Sequence, residues 1–242
     1  MRISNIFLML TLPFISLFNF VKCHEYDFKP ILDYNVSFVN LNSDNFVSLR
    51  ETVNDNSVSK VIKDLSSLTT NKYINDYYLF LDTNGGSVLS GNHLIDYLNY
   101  LNSTNIIVHC LAKKAISMGF VILQACPGER LALPSALIMQ HQMSSMMRGN
   151  LLSLETDFKY TKRLYEKMLI KQSNRIGLTP EDFLNLTRDD WWLDGEMALD
   201  SNVVDKLVNV GCDQEIIKKQ ITIKKESIFG DVKIKGSKCP II

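Results

Sequence analysis

The alternation of apolar and polar stretches along the chain predicts strands and helices in turn. Short apolar runs at Tyr77–Leu81 and Ile106–Leu111 are typical of buried strands. Met118–Cys126 is apolar all round, as expected of a buried helix. Between the two strands, a Gly85-Gly86 turn precedes apolar residues at helical spacing, namely Leu94, Ile95, Leu98 and Leu101. This succession predicts an α/β fold with a largely parallel sheet.

The same pattern predicts the remaining elements. Arg130–Leu133 reads as a third strand ended by Pro134, and Leu137–Met139 as a fourth. A long helix from about Leu151 to Arg175 stops at Gly177 and is predicted to project from the core. Phe38–Leu41 is predicted to be a strand, and Asp189–Leu193 a strand or a turn. Helices are predicted at Val58–Leu68 and Glu196–Asp200, and a further short helix is predicted to start at Thr179–Asp182.

The two ends of the chain differ from this centre. A basic start, an apolar run at Ile6–Val21 and the stretch Val21–Cys23 predict a signal peptide over residues 1–23, with an uncleaved anchor over 6–21 as the alternative. Residues 24–75 read as an N-terminal extension and the start of the domain, and 76–210 as its main part. Residues 211–242 form a lysine-rich extension, predicted to be an edge strand or only partly ordered.

Composition narrows the class of protein. At 242 residues with 46% hydrophobic residues and zero formal net charge, the chain can bury one sizeable core and shows no basic surplus for nucleic acid. Cleavage after Cys23 would leave four cysteines, which permits disulfides without demanding them, since Cys110 and Cys126 fall in predicted core elements. No cysteine spacing suggests a metal, and we predict no metal or cofactor.

Ser117 stands where a predicted strand has ended and a predicted helix begins. Free N–H groups and the positive end of the helix dipole favour negative charge there. Serine is also a preferred helix N-cap, so the stretch alone leaves a structural and a catalytic role open.

Three further features bear on that choice. The Gly85-Gly86 turn, His141 after an apolar strand and Asp189 after the long helix each have an ordinary structural interpretation. Taken with Ser117, they supply a nucleophile, a base, an orienting carboxylate and backbone amides for an oxyanion. That set suits acyl transfer to serine.

The motifs around these residues resemble the proteolytic subunit of the Clp protease, a ring-forming serine peptidase in the fold group of the crotonases. The resemblance covers about Tyr77 to Val208. It implies the family's repeated β-β-α units and a projecting handle helix. The matching motifs are Leu81-Asp82-Thr83-Asn84-Gly85-Gly86-Ser87-Val88, Ala115-Ile116-Ser117-Met118-Gly119, Met139-Gln140-His141-Gln142, Arg188-Asp189-Asp190-Trp191-Trp192-Leu193, Glu196-Met197-Ala198 and Asn202-Val203-Val204-Asp205.

The resemblance implies a role for each matched residue. Ser117 would be the nucleophile, His141 the general base and Asp189 the carboxylate that orients it, with Asp190 as the alternative. The backbone N–H groups of Gly86 and Met118 would bind the oxyanion. Substrate contacts would come from Gly85, Ser87, Val88, Gln142 and Met143, and no cofactor is needed.

The resemblance also implies partners. Family members cleave peptides or unfolded proteins as added strands, assemble into heptameric rings and work with ATP-driven unfoldases in the cytosol or organelles. A signal peptide would instead place this chain in the secretory lumen, outside the cell, or on a membrane. The chain also departs from the family pattern at Asn84, Lys113-Lys114 and Met143-Ser144-Ser145.

Three alternatives stay open at the level of sequence. The first is a membrane protease resembling signal peptide peptidases, with a lysine base. The second is a catalytically inactive scaffold subunit that keeps the fold. The third is acyl-CoA chemistry of the crotonase type, which does not need this serine and histidine pair.

Overall fold

Strands alternate with helices along the chain, as the apolar pattern predicts. The computed structural model describes residues 34–70, 74, 76–227 and 230–242. The strands are β1 (Val36–Leu41), β2 (Phe46–Leu49), β3 (Asp76–Thr83), β4 (Ile107–Ile116), β5 (Arg130–Gln140), β6 (Trp191–Leu193), β7 (Lys206–Cys212), β8 (Gln220–Ser227) and β9 (Gly230–Ser237). The helices are α1 (Asp55–Leu68), α2 (Val88–Ser103), α3 (Met118–Gln124), α4 (Leu151–Ile176), α5 (Pro180–Leu186), α6 (Gly195–Asp200) and α7 (Gln214–Lys218).

The main sheet has seven strands in the order β1-β7-β5-β4-β3-β2, with β6 paired to β5. Neighbours along this order are parallel, and only the short β6 runs antiparallel. Parallel sheets are covered on both faces, which explains why β3 is apolar almost throughout. Tyr77, Leu79, Phe80 and Leu81 are all buried. The predicted α/β fold with a largely parallel sheet is confirmed.

One strand replaces two predicted ones. Arg130–Leu133 and Leu137–Met139 belong to a single strand, β5, so the prediction that Pro134 ends a strand is wrong. The register of β5 against β4 shifts between the pairs Ala112↔Ala132 and Lys114↔Leu137. Proline has no N–H to give to a ladder, and this irregularity accommodates it without ending the strand.

The core lies mainly between the sheet and helices α1, α2 and α3, where Leu65, Leu98 and Phe120 are fully buried. The long predicted helix is α4, and it ends at Gly177, whose φ of 86° is the left-handed conformation of a helix C-cap. Of its 26 residues, Gln172, Ser173 and Ile176 are buried. Most of α4 therefore projects from the core, as predicted.

The lysine-rich extension covers the opposite face of the sheet. It forms α7 and the antiparallel hairpin β8–β9, a separate two-stranded sheet, so the prediction of an edge strand or a partly ordered tail is corrected. Ile216 and Cys239 are fully buried against Phe46, Phe80 and Leu111 of the main sheet. Packing against an apolar face orders a segment whose own sequence is mostly polar.

Two disulfides tie these elements together, joining Cys110 to Cys126 and Cys212 to Cys239. The second fastens the end of the extension to β7. The sequence permitted disulfides without demanding them, and the first of these two bonds joins β4 to the segment just after α3.

The predicted signal peptide over 1–23, with its alternative anchor over 6–21, lies outside the described residues. None of the helices in the described ranges is long and apolar enough to cross a membrane. The proposed boundaries after residues 23, 75 and 210 stay predictions.

Candidate active site

Ser117 sits between β4 and α3 in a strained backbone conformation. Its φ of 56° and ψ of −116° lie in a region that residues other than glycine rarely adopt. Such a conformation costs on the order of 1–3 kcal/mol and persists where surrounding structure enforces it. Although Ser117 occupies the N-cap position, its side chain makes no capping hydrogen bond. The Ser117 hydroxyl is therefore not used for helix capping and can bond another group.

The strand ends on either side enforce this conformation. The Ser117 N–H donates to the Met139 carbonyl across 2.9 Å. Gly85, with φ of 90°, packs so closely that a Cβ there would lie 2.5 Å from the Ile116 oxygen and 2.8 Å from the Met118 nitrogen. A side chain at position 85 would therefore displace the backbone that carries Ser117, which explains the glycine.

His141 is delivered to Ser117 by the parallel pairing of β4 and β5. Ile116 and Met139 are paired at the ends of these strands, so the residues just beyond them emerge at the same sheet edge. His141 Nε2 lies 2.8 Å from Ser117 Oγ, and both residues are partly buried. A neutral imidazole protonated on Nδ1 accepts the hydroxyl proton at this distance. This is the geometry of a nucleophile with its general base.

The two predicted oxyanion donors lie beside Ser117. Met118 opens α3, where the first N–H groups of a helix have no partner within it. Gly86 is held by its neighbours, because Ser87 N–H donates to Val53 O and Val53 N–H donates to Gly85 O, each at 2.7 Å. Across the described part of the chain, neither the Gly86 nor the Met118 amide donates a hydrogen bond to the protein. Both amides are thus free to bind an anion.

Asp189 is not joined to His141. It is exposed in the turn between α5 and β6, and among the described residues it makes no hydrogen bond or ion pair with the imidazole. Asp190, also exposed and with φ of 57°, follows it. Trp191 pairs with Gln140, so Asp190 is next to His141 in register. The pairing of β6 with β5 therefore brings the turn that carries Asp189 and Asp190 to the end of the sheet where His141 lies. The two carboxylates nevertheless stay in solvent.

A comparison with protein families decides the family. The model of the Clp protease family matches residues 33–211, which is most of the chain. The match includes Ser117, His141, Asp189 and the Gly86 and Met118 amides. The chain belongs to the Clp protease family. The resemblance inferred from the sequence motifs is confirmed, and with it the family's fold.

In this Clp protease, a small cavity adjoins Ser117 and His141. Of the predicted substrate residues, Val88 and Met143 line it, whereas Gly85 is buried beneath the serine. Ser87 is exposed and caps α2 by accepting the Ser90 N–H, and Gln142 is exposed in the irregular segment 141–150. The complete lining is Val88, Ser117, Met118, Val121, Gln140, His141, Met143, Tyr165, Met168 and Gln172.

Several residues at the site escaped the sequence analysis. Thr83 is buried, and its hydroxyl donates to Glu51 O and accepts the Gly85 N–H, which fixes the glycine turn. Gly91 of α2 makes room for the Met118 side chain, whose Cε would lie 2.3 Å from a Cβ there. Gln140 and Gln172 join across the cavity. The sequence carried a usable signal for Gly91, because a glycine inside a helix is unusual. Thr83, Gln140 and Gln172 depend instead on contacts between distant segments.

The two lysines before Ser117 are engaged elsewhere. Lys113 Nζ and Lys114 Nζ lie 3.9 Å and 3.5 Å from the carboxylate oxygens of Asp82, and Lys113 also donates to Pro240 O. They belong to the sheet face that the C-terminal extension covers. Within the described ranges, His, Cys, Asp and Glu side chains form no group of three or more that could hold a metal ion.

Proposed function

We propose that this Clp-family peptidase is a serine endopeptidase in which Ser117 attacks the scissile peptide carbonyl. The observation that carries the proposal is the 2.8 Å contact between Ser117 Oγ and His141 Nε2 at a strained junction of strand and helix. Strain of this kind, combined with a base in hydrogen-bond reach, is characteristic of an activated nucleophile.

In the proposed reaction, His141 takes the hydroxyl proton as Oγ bonds to the carbonyl carbon. The negative charge on the carbonyl oxygen is bound by the N–H groups of Gly86 and Met118. His141 then gives its proton to the amine nitrogen as the scissile C–N bond breaks, and the acyl group stays on Ser117 as an ester. Water, deprotonated by His141, bonds to the acyl carbon; the ester bond to Ser117 Oγ then breaks, and His141 returns the proton to Oγ.

Asp189 is our candidate for the third member of the triad, and Asp190 is the alternative. A carboxylate hydrogen-bonded to His141 Nδ1 would hold the tautomer that accepts from serine and stabilise the imidazolium. The turn is exposed in the free chain, so we propose that it closes on His141 when substrate or a neighbouring subunit binds.

Substrate would bind as an extended strand between the backbone of 86–88 and that of 143–147. We propose that rings, heptameric by resemblance, form through α4, which exposes large apolar side chains to pack on a neighbour. Those side chains are Leu151, Leu152, Phe158, Tyr160 and Ile170. An ATP-driven unfoldase would be a further partner, and the substrates would be peptides or unfolded proteins.

We propose a secretory location, lumenal or extracellular. The disulfides Cys110–Cys126 and Cys212–Cys239 support it, since such bonds persist in oxidising compartments. The native mass of the assembly from its own cell, measured with its N-terminal residue, tests ring and location together. A monomer would contradict the ring, and an N-terminus at Met1 in a cytosolic fraction would contradict the secretory location.

Peptide hydrolysis tests the proposed activity. Wild-type protein should cleave members of a mixed peptide library, with new termini identified by mass spectrometry, and Ser117→Ala should cleave none while keeping its melting temperature. Cleavage that survives in Ser117→Ala would overturn the proposal. A lysine-base protease is not favoured, because His141 occupies the position next to Ser117 and Lys113 and Lys114 face Asp82.

A further inference from the structure

A pair of buried glutamines connects the projecting helix to the catalytic histidine. Gln140 is the last residue of β5, immediately before His141, and Gln172 lies on α4. Each is 5% exposed, and both line the cavity that contains Ser117 and His141. They are 32 positions apart in the chain, so their contact depends on how α4 crosses the end of the sheet.

Their amides form a continuous relay of hydrogen bonds. Gln172 Nε2 donates to the Met168 carbonyl within α4 across 3.0 Å. Gln140 Nε2 donates to Gln172 Oε1. The His141 backbone N–H donates to Gln140 Oε1 across 3.2 Å. Each amide is thus both donor and acceptor, and the relay runs from the helix backbone to the backbone of His141.

His141 needs such support because the sheet ends before it. β5 stops at Gln140, and residues 141–150 have no regular secondary structure. Among the described residues, the imidazole makes its one hydrogen bond to Ser117 Oγ, with none from Nδ1. The orientation of the ring towards Ser117 therefore depends on how the backbone of His141 is held.

We propose that Gln140 and Gln172 are positioning residues, through which α4 holds His141 against Ser117. The inference rests on the proposed function of that pair. Few other residues of α4 are buried, so Gln172 is one of the few points at which this helix packs against the core. Displacing a catalytic base by about 1 Å costs up to about 10²-fold in rate. We expect loss of the relay to lower kcat between 10-fold and 100-fold and to leave KM within about twofold, because the cavity keeps its other walls.

Leucine variants separate positioning from stability. Gln172→Leu leaves the Gln140 amide buried without its acceptor, so it should lower both the melting temperature and kcat. The double variant Gln140→Leu/Gln172→Leu replaces both partners by apolar groups of similar size and should recover most of the melting temperature. If the pair positions His141, the double variant still shows the low kcat. Ser173→Ala is the matched control, since Ser173 is fully buried on the same helix but its hydroxyl, among the described residues, donates only to Ile170 O.

The readouts are kcat and KM for one peptide, expressed per Ser117 labelled at saturation by a fluorophosphonate, so that unfolded molecules do not count. A double variant with wild-type kcat, or a Gln172→Leu variant in which KM rises and kcat does not fall, would overturn the inference. If wild-type protein showed no cleavage that depends on Ser117, that result would contradict the proposed function. The failure of the proposed function is therefore distinguishable from the failure of this inference.

Discussion

The two ends of strand β5 are built on different principles. At its start, Arg130 is 2% exposed, and its guanidinium bonds the Asp205 carboxylate across 2.6 Å and the Gln124 side chain across 2.8 Å. At its finish, Gln140 is also buried but bonds a neutral amide, that of Gln172. One end is fixed by charge and the other by uncharged groups.

The difference follows from what each end does. An ion pair with a buried guanidinium suits a purely structural joint, since a buried polar group is strongly destabilised when it loses its partner. Beside Ser117 and His141, a fixed charge would bias the imidazole, which in the proposed reaction accepts a proton and then releases it. Neutral amides hold the backbone of His141 without favouring either protonation state. The start of β5 thus contributes mainly to stability, and its finish mainly to the position of His141.

His141→Ala should have the largest effect and should be confined to activity. Loss of the proposed general base is expected to lower kcat at least about 10³-fold. The free energy of unfolding should change by less than about 1 kcal/mol, because His141 lies beyond the strand and is only partly buried. Peptide cleavage and urea unfolding check the two halves. Full activity in this variant, with loss on replacing Lys113 or Lys114, would favour a lysine base.

Arg130→Met should give the opposite result at the other end of β5. Gln124, which is buried, loses its charged partner, and the exposed Asp205 loses its ion pair, so the free energy of unfolding should fall by about 2 kcal/mol. The value of kcat per labelled Ser117 should stay within twofold. Lys162→Met is the control, because its pair with Glu166 is exposed and worth less than about 1 kcal/mol. Equal effects of the two variants would contradict a structural joint at Arg130.

Asp189→Asn and Asp190→Asn test which aspartate is the third member of the proposed triad. Both side chains are exposed, and asparagine tolerates the positive φ of position 190, so stability should barely change. We expect Asp189→Asn to lower kcat about 10²-fold and Asp190→Asn less than threefold, measured with one peptide. The reverse order would assign the role to Asp190. Unchanged rates in both would leave a catalytic pair without a carboxylate.

The smallest expected effect is a loss of stability in acid, which arises from the pairing of Asp205 with Arg130 at the start of β5. Burial by itself raises the pKa of Asp205, but hydrogen bonds from Arg130 and the charges of Arg130 and Arg175 bring that pKa below its ordinary value. As pH falls below about 4, the unfolded chain takes up the Asp205 proton before the folded one does. The free energy of unfolding therefore declines there.

Asp205→Asn should lose this part of the decline. Urea unfolding of both proteins between neutral and acid pH checks it, because carboxylates common to the two cancel in the difference. A difference that does not shrink towards low pH would contradict the pairing of Asp205 with Arg130.

Local signals predicted the elements that carry their own boundaries. α4 was correctly placed because its apolar spacing is long and Gly177 ends it, and α5 because Thr179 caps it with Pro180 in the first turn. The Ser117 and His141 motifs could likewise be found from sequence, since each follows an apolar strand that parallel pairing brings to one sheet edge.

The misses share a dependence on distant contacts. Pro134 stays within β5 because β4 offers a shifted register, which no local pattern reveals. The hairpin β8–β9 is ordered against an apolar face formed by much earlier strands. Four cysteines allow three pairings, and packing selects among them. The relay from Gln172 to Gln140 is hidden for the same reason, since glutamine is common and its partner is set by the path of α4.

Mapping a fluorophosphonate adduct tests the central claim most directly. Wild-type protein should carry a single adduct on the tryptic peptide that contains Ser117. Ser117→Ala should carry none, and His141→Ala should form it at least about 10³-fold more slowly. An adduct on another residue, or a rate in His141→Ala equal to that of wild type, would contradict a serine nucleophile activated by His141.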